Sequence, residues 1–235
     1  MNILIGETLG SALLIVFGNG VVANVVLDKS KGHQGGWMVI TMGWAMAVFI
    51  AVYCAAGFSG AHLNPAVSLA LAIIGKLSWN LLPLYIGAQL LGCLLGGILV
   101  WAIYRDHFSA TKDSASIQAC FCTKPAIHNY RQNFITEALA TLIFILGVLL
   151  LTKSDQGLGS LDALPVALLV LGIGLSLGGP TGYAINPARD LGPRIAHAIL
   201  PITNKGSNDW PYAWVPVAGP LAGAIGGSLL YQLII

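Results

Sequence analysis

The chain has 235 residues, of which 11 are Lys or Arg and 9 are Asp or Glu, so its formal net charge is +2. Charged residues are 9% of the chain and apolar residues 56%, whereas about a quarter of a soluble domain is charged. This composition excludes a water-soluble domain, a disordered chain and a nucleic-acid binder, because too few charges remain to cover a surface or bind phosphates. It predicts an integral membrane protein.

Six apolar runs are long enough to cross a bilayer, which takes about 20 residues. They lie at about 3–27, 37–57, 80–104, 134–151, 163–179 and 212–235. Two further apolar segments, 57–75 and 182–200, are too short to span. No cationic stretch precedes the first run, so we expect no removable signal peptide.

The two short segments contain the related strings GAHLNPAVS and GYAINPARD. In each half of the chain, a first helix with an intramembrane glutamate (Glu7, Glu137) comes before the string, and a glycine-rich helix follows it. Three crossings per half reverse the direction of the second half, so about 1–105 and 130–235 are predicted to be inverted repeats of one domain over 1–235. The predicted fold is an all-α membrane protein with six transmembrane helices and two re-entrant half-helices.

An Asn followed by Pro is typical of a helix start, because Asn caps free N–H groups and Pro fits the first helical position. The two strings therefore predict half-helices that begin at Asn64, Pro65 and Ala66 and at Asn186, Pro187 and Ala188. Their positive dipole ends would meet at the centre of a path and raise the barrier for cations and protons. A single Asn-Pro would be read as a simple turn, but two copies in matching surroundings favour the pair of half-helices.

With these motifs the chain resembles the aquaporin superfamily, and more narrowly the glycerol facilitators or aquaglyceroporins, over all six spans and both short segments. The resemblance implies a passive channel for glycerol and other small uncharged solutes, with water, that excludes ions and protons. It also implies a homotetramer embedded in the lipid of a cell membrane, which we expect to be bacterial. Neither cofactor, metal nor enzymatic activity is implied.

The resemblance places the narrowest part of the path at Trp44, Gly174, Tyr183 and Arg189. Gly174 stands where water-selective relatives usually have His, and we expect it to leave that corner empty. Trp44 and Tyr183 would face the CH edge of a solute, and Arg189 would donate to its hydroxyls.

Tyr183 departs from the Phe of the best-known glycerol facilitators. Its hydroxyl could narrow the constriction, bind a more polar solute or point away from the path. A channel that prefers water, urea, dihydroxyacetone, hydrogen peroxide or protonated lactic acid is therefore the alternative.

The resemblance assigns further residues to the path and to the subfamily. The carbonyls expected to line the path belong to Gly60, Ala61, His62, Leu63, Gly182, Tyr183, Ala184 and Ile185. The residues typical of glycerol facilitators are Asp190, Arg194, Pro220 and Leu221.

Two buried acids, Glu7 and Glu137, have two interpretations. They could carry protons, as in a proton-coupled secondary transporter, or accept N–H bonds from the re-entrant segments. The resemblance favours the structural role. A membrane enzyme would need an intramembrane cluster of reactive groups, and the sequence shows none.

Other residues are expected to be structural. Cys120 and Cys122 lie in a predicted polar loop without the spacing of a zinc site and receive no role. The tryptophans at the ends of spans are expected to anchor the chain at the membrane interface. They are Trp37, Trp101, Trp210 and Trp214.

The orientation in the membrane rests on the resemblance, which implies a cytoplasmic amino terminus. The cytoplasmic loops would then contain only Lys76 and Lys153, and most basic residues would lie outside. A count of positive charges alone would choose the reverse orientation.

Overall fold

The computed structural model describes residues 2–151 and 161–235, and this part of the chain forms α-helices and connecting segments without β-strands. Five helices are long and apolar enough to cross a membrane. They are α1 (Asn2–Val26), α2 (Gly36–Ser59), α4 (Leu82–Ile103), α7 (Tyr130–Leu151) and α10 (Val215–Ile234). The sixth predicted span corresponds to the apolar helix α8 (Leu164–Leu177), which has 14 residues in the described part. Lys153, used in the orientation argument, lies outside the described residues.

The half-helices α3 (Pro65–Ile73) and α9 (Pro187–Ile199) begin where the Asn-Pro strings predict. The Asn64 side chain accepts from the Ala66 N–H at 2.9 Å, and Asn186 accepts from Ala188 and Arg189 at 3.1 and 3.2 Å. Each Asn thus caps N–H groups that have no partner inside the helix.

Glycines let the long helices approach closely. A Cβ on Gly92 of α4 would lie 2.8 Å from the Ser11 Cβ of α1, and one on Gly223 of α10 would lie 2.7 Å from the Thr141 Cβ of α7. Neither position has room for a side chain. Small residues therefore bring these backbones together, as is typical of helix pairs in lipid.

The segment between α4 and α7 is folded rather than a polar loop. It contains the short helices α5 (Arg105–Ala110) and α6 (Ser114–Ala119). Cys120 and Cys122 are buried as free thiols in an apolar cluster that includes Phe108 and Phe121, whose ring centroids are 5.4 Å apart. The two cysteines do lie outside the helices, directly after α6, but the prediction of polar surroundings is wrong, because this turn and the short helices bring apolar residues together.

Candidate pore and selectivity filter

A cavity of about 220 Å³ lies between the spans and both re-entrant segments. Asn64 and Asn186 both line it, as do three of the four predicted filter residues, Trp44, Tyr183 and Arg189. The two halves of the chain thus contribute to one path.

The two Asn residues are joined crosswise. Asn64 Nδ2 donates to the Ile185 carbonyl at 2.8 Å, and Asn186 Nδ2 donates to the Leu63 carbonyl at 2.8 Å. Each side-chain amide therefore bonds the backbone of the other re-entrant segment. An amide nitrogen carries two hydrogens, so each Asn retains a second donor for a solute.

The backbone before each Asn follows the same unusual course. Gly60 and Gly182 have φ of 80° and 78°, and the non-glycine residues at matching places are also left-handed. These are Ala61, Leu63, Tyr183 and Ile185, with φ of 51°, 53°, 38° and 42°. Left-handed backbone is costly for residues with a Cβ and persists where the surroundings hold it, often at functional sites.

The predicted carbonyl residues lie mostly along the cavity. Seven of the eight residues predicted to supply carbonyls line the cavity, and Gly182 does not. The carbonyls of Leu63 and Ile185 already accept from the Asn amides. Each keeps a second lone pair for another donor.

The buried acids support these strained segments. Glu7 accepts from the N–H groups of His62 and Leu63 at 3.0 and 2.7 Å, and Glu137 accepts from those of Ala184 and Ile185, both at 3.0 Å. Ser59 and Gln89 also donate to Glu7, at 2.6 and 2.7 Å. Each carboxylate thus satisfies two N–H groups that the left-handed backbone leaves without helical partners.

The Arg189 side chain stacks on Trp44. Its guanidinium carbon lies 4.1 Å from the centroid of the Trp44 ring, within the range of a cation–π contact. A Cβ on Gly18 of α1 would overlap that ring, so Gly18 sets the position of Trp44. The Arg189 guanidinium makes no hydrogen bond to a side chain or backbone group in the described part of the chain. Its N–H groups are therefore available to a solute in the cavity.

The expected empty corner at Gly174 is filled by the Tyr183 ring. A Cβ on Gly174 would lie 3.0 Å from Tyr183 Cζ and 3.1 Å from its hydroxyl oxygen. Because Gly174 has no side chain, the ring packs into the space a larger residue would occupy. The hydroxyl is inaccessible to solvent and has no hydrogen-bond partner among the described residues. Of the three roles considered for this hydroxyl, the geometry favours the one that points away from the path.

Trp37 contributes to this corner as well. Its Nε1 donates to the Gly174 carbonyl at 3.0 Å, and its ring meets the Tyr183 ring edge-on at 5.9 Å between centroids. Trp37 is 42% exposed, so an anchoring role at the membrane interface is compatible with this contact. The contact between residues 37 and 174 could not be predicted from the sequence, because the position of an aromatic residue at the end of a span does not indicate which residue it contacts.

Asp190 and Arg194 form a buried ion pair directly after the filter. Arg194 Nε and Nη2 donate to the Asp190 carboxylate at 2.8 and 2.9 Å, and both residues are fully buried. The remaining donors of Arg194 reach the carbonyls of Thr123, Asn208 and Asp209 at 3.1, 2.6 and 3.1 Å. Buried charges need such complete pairing. The pair thus connects α9 to the segment that contains Thr123 and to the segment that contains Asn208 and Asp209.

The other two subfamily positions lie away from the cavity. Pro220 is buried inside α10, and Leu221 is half-buried on the same helix. Neither lines the cavity.

Two histidines near the half-helices have protein partners. His62 Nδ1 lies 3.1 Å from the Ser68 hydroxyl, and its ring stacks on Tyr85 at 4.3 Å. His197 Nδ1 lies 2.6 Å from Asn208 Oδ1. Both rings are therefore held by contacts within the protein.

Lys205 caps the end of α9, which the sequence analysis missed. Its ammonium donates to the carbonyls of His197, Ala198 and Leu200 at 2.9, 2.8 and 2.8 Å. A cation at a helix C-terminus also offsets the negative end of the dipole. The position of a Lys shortly after a predicted helix could have indicated this cap, but many exposed lysines have such a position.

Apolar crossing helices, two half-helices that meet at an Asn pair and one cavity along both segments define a membrane channel. The chain belongs to the major intrinsic protein family, whose sequence model matches residues 1–231. It is therefore a multi-pass integral protein of the cell membrane.

Similar proteins are found among curated sequences and solved structures. The chain is 52% identical to glycerol uptake facilitator protein 3 of Lactiplantibacillus plantarum, covering 98% of this chain and 96% of that protein. It is also 52% identical to a probable glycerol uptake facilitator protein of Thermotoga maritima, covering 99% of each. The X-ray structure of the aquaglyceroporin from Plasmodium falciparum superposes with a TM-score of 0.87 at 33% identity, over 99% of this chain and 96% of that one.

Proposed function

We propose that this protein is a passive channel for glycerol and other small uncharged solutes, together with water, and that it excludes ions and protons. The observation that carries the proposal is the Arg189 guanidinium, which stacks on Trp44 and keeps its N–H groups available to the cavity. A polyol has hydroxyls on one edge and CH groups on the other, so a cation beside an aromatic face suits it. The glycerol uptake facilitators of similar sequence support the same solute class.

A solute would pass three kinds of partner in turn. At the filter, Arg189 donates to its hydroxyls while Trp44 contacts its CH edge, and Gly174 makes room for the Tyr183 ring. At the centre, the amides of Asn64 and Asn186 donate to its oxygens. Along both segments, backbone carbonyls accept from its hydroxyls.

Charged species would meet a barrier at the same places. The positive ends of α3 and α9 point at the Asn pair, and Arg189 adds a full positive charge at the filter. A cation therefore meets electrostatic repulsion both at the filter and at the Asn pair. Proton transfer along a water file is opposed by the same potential, and the two Asn donors orient the water there.

The remaining assignments belong to the same proposal. Glu7 and Glu137 act as structural acids rather than proton carriers, because their oxygens are occupied by N–H groups of the re-entrant segments. The halves 1–105 and 130–235 are inverted repeats, as the matching φ angles and matching acid contacts support. The working unit is a homotetramer in membrane lipid, as the family resemblance implies.

The test is stopped-flow light scattering on proteoliposomes that contain the purified protein. After a glycerol jump we expect fast shrinkage and fast reswelling, with a low activation energy and a flux linear in concentration. A sucrose jump on the same vesicles measures water flow alone. Fast shrinkage without accelerated reswelling would contradict glycerol conduction and favour a water channel. Saturation with dependence on a proton gradient would instead indicate a secondary transporter.

A further inference from the structure

Gly178 lies directly after α8 and is buried, one helical turn beyond Gly174. A Cβ at position 178 would overlap Cδ1 of the Tyr183 ring, and it would lie 2.7 Å from the Gly174 carbonyl oxygen and 2.9 Å from Cζ2 of Trp37. The φ of Gly178 is −77°, which any residue can adopt. Packing, rather than backbone conformation, therefore requires a residue without a side chain here.

The Tyr183 ring lies between a packed slot and the path. We define the slot by Trp37, Gly174 and Gly178, which all approach the ring closely. The Tyr183 hydroxyl is inaccessible to solvent, whereas the residue also lines the cavity. A group that enters the slot would thus displace the ring towards the cavity, because the cavity is the open space beside it.

The backbone on either side of Tyr183 is held by hydrogen bonds. The Gly182 N–H donates to the Gly178 carbonyl at 2.8 Å, and the Ala184 N–H donates to Glu137 at 3.0 Å. The backbone at Tyr183 therefore has little freedom to move away from a crowded slot. The ring itself would have to turn about its side-chain torsions.

We propose that Gly178 is a positioning residue that determines the specificity of the channel, although it is not one of the four filter residues and does not line the cavity. Its missing side chain lets the Tyr183 ring withdraw into the slot, and this sets the width of the path beside Arg189. A larger residue would drive the ring into the path, where it obstructs glycerol more than the narrower water molecule. This inference rests on the proposed channel function.

The experiment measures glycerol and water flux by stopped-flow light scattering on the same proteoliposomes, for three alanine variants of α8 and its end. They are Gly178→Ala, Gly174→Ala and the matched control Gly172→Ala. A Cβ at Gly174 would lie 3.0 Å from Tyr183 Cζ, whereas one at the exposed Gly172 would meet no described atom within 4 Å. The three positions thus crowd the ring to different extents.

We expect the ratio of glycerol to water flux to fall about tenfold in Gly178→Ala, which is the size of effect that one extra methyl group has in a packed site. Gly174→Ala should lower the ratio less, because its Cβ approaches the ring without overlapping it. Gly172→Ala should keep the wild-type ratio. A general defect of the helix would instead reduce assembly or both fluxes together.

A second background tests whether Gly178 acts through the Tyr183 ring. Once Tyr183→Ala has removed the ring, channels with Gly or Ala at position 178 should have ratios that agree within about twofold. If Gly178→Ala alone does not assemble, recovery of the folded oligomer in the double variant supports the overlap with the ring. Failure of both to assemble contradicts it.

Other results would also overturn the inference. They are an unchanged ratio in Gly178→Ala, an equal fall in Gly172→Ala, and a fall of the same size in the Tyr183→Ala background. If wild-type vesicles show no accelerated glycerol entry, the channel function itself fails and the inference fails with it. If wild-type glycerol entry is fast and only the variants disagree, the role of Gly178 alone is refuted.

Discussion

The guanidinium carbon of Arg189 lies 4.1 Å from the centroid of the Trp44 ring, so the charge of one residue rests on the aromatic face of the other. The two residues belong to different halves of the chain, α9 and α2. A change in either side chain must therefore alter the position of its partner at the filter. The consequences can be measured as a ratio of solute flux to water flux.

The double substitution Trp44→Phe with Gly174→His should reduce glycerol flux far more than water flux. A side chain at position 174 meets the Tyr183 ring and the Thr41 methyl at 3.0 Å from its Cβ, so Tyr183 must move. The smaller ring at position 44 also gives Arg189 less surface to stack on. Stopped-flow measurements on one vesicle preparation give both fluxes. Equal loss of both would mean that the constriction lies elsewhere.

Tyr183→Phe should leave the ratio of glycerol to water flux within about twofold of wild type. The hydroxyl has no partner among the described residues and is inaccessible to solvent, so its removal costs little. Trp37→Phe is the informative comparison, because it removes the donor to the Gly174 carbonyl and should lower thermal stability. A large gain or loss of glycerol flux in Tyr183→Phe would show that the hydroxyl reaches the solute.

Glu137→Gln should lower the yield of folded oligomer more than it changes selectivity. The amide that replaces one oxygen is a donor, and it would face an N–H of Ala184 or Ile185 that the carboxylate now accepts. Leaving one such buried group unpaired costs about 1–3 kcal/mol. Size-exclusion chromatography of detergent extracts measures the yield, with Asp106→Asn as the surface control. Normal assembly with altered selectivity would contradict the structural role.

Lys205→Met should destabilise the protein by about 1 kcal/mol, because the carbonyls at the end of α9 lose a cationic partner. Lys205→Arg keeps the charge and should retain most of the stability. Thermal unfolding in detergent, compared with Lys112→Met as an exposed control, measures the difference. Identical unfolding of all three variants and wild type would mean that solvent replaces the ammonium without cost.

The fold could be predicted closely because its signals are local. An Asn-Pro string determines a helix start through the cap and the fixed φ of proline, and both half-helices begin at the predicted residue. Long apolar runs likewise mark spans by length alone. The structure moved boundaries by a few residues, for example by starting α7 at Tyr130 instead of 134.

The corner of the filter could not be predicted in the same way. Whether Gly174 leaves a gap depends on how the Tyr183 ring turns, and that depends on Trp37, which is distant in sequence. The buried cysteines were missed for a similar reason, because the short helices around Phe108 and Ile117 have too few residues to show a period. The roles assigned to the filter residues remain predictions that the flux experiments test.

The crosswise bonds of Asn64 and Asn186 also bear on biogenesis. While the ribosome is still making the second half, the Asn64 amide lacks its acceptor, the carbonyl of Ile185. The Leu63 carbonyl likewise lacks its donor, the Asn186 amide. Closure of the centre is therefore a late event in membrane insertion, since neither half of the polypeptide can complete it before the other has entered the bilayer.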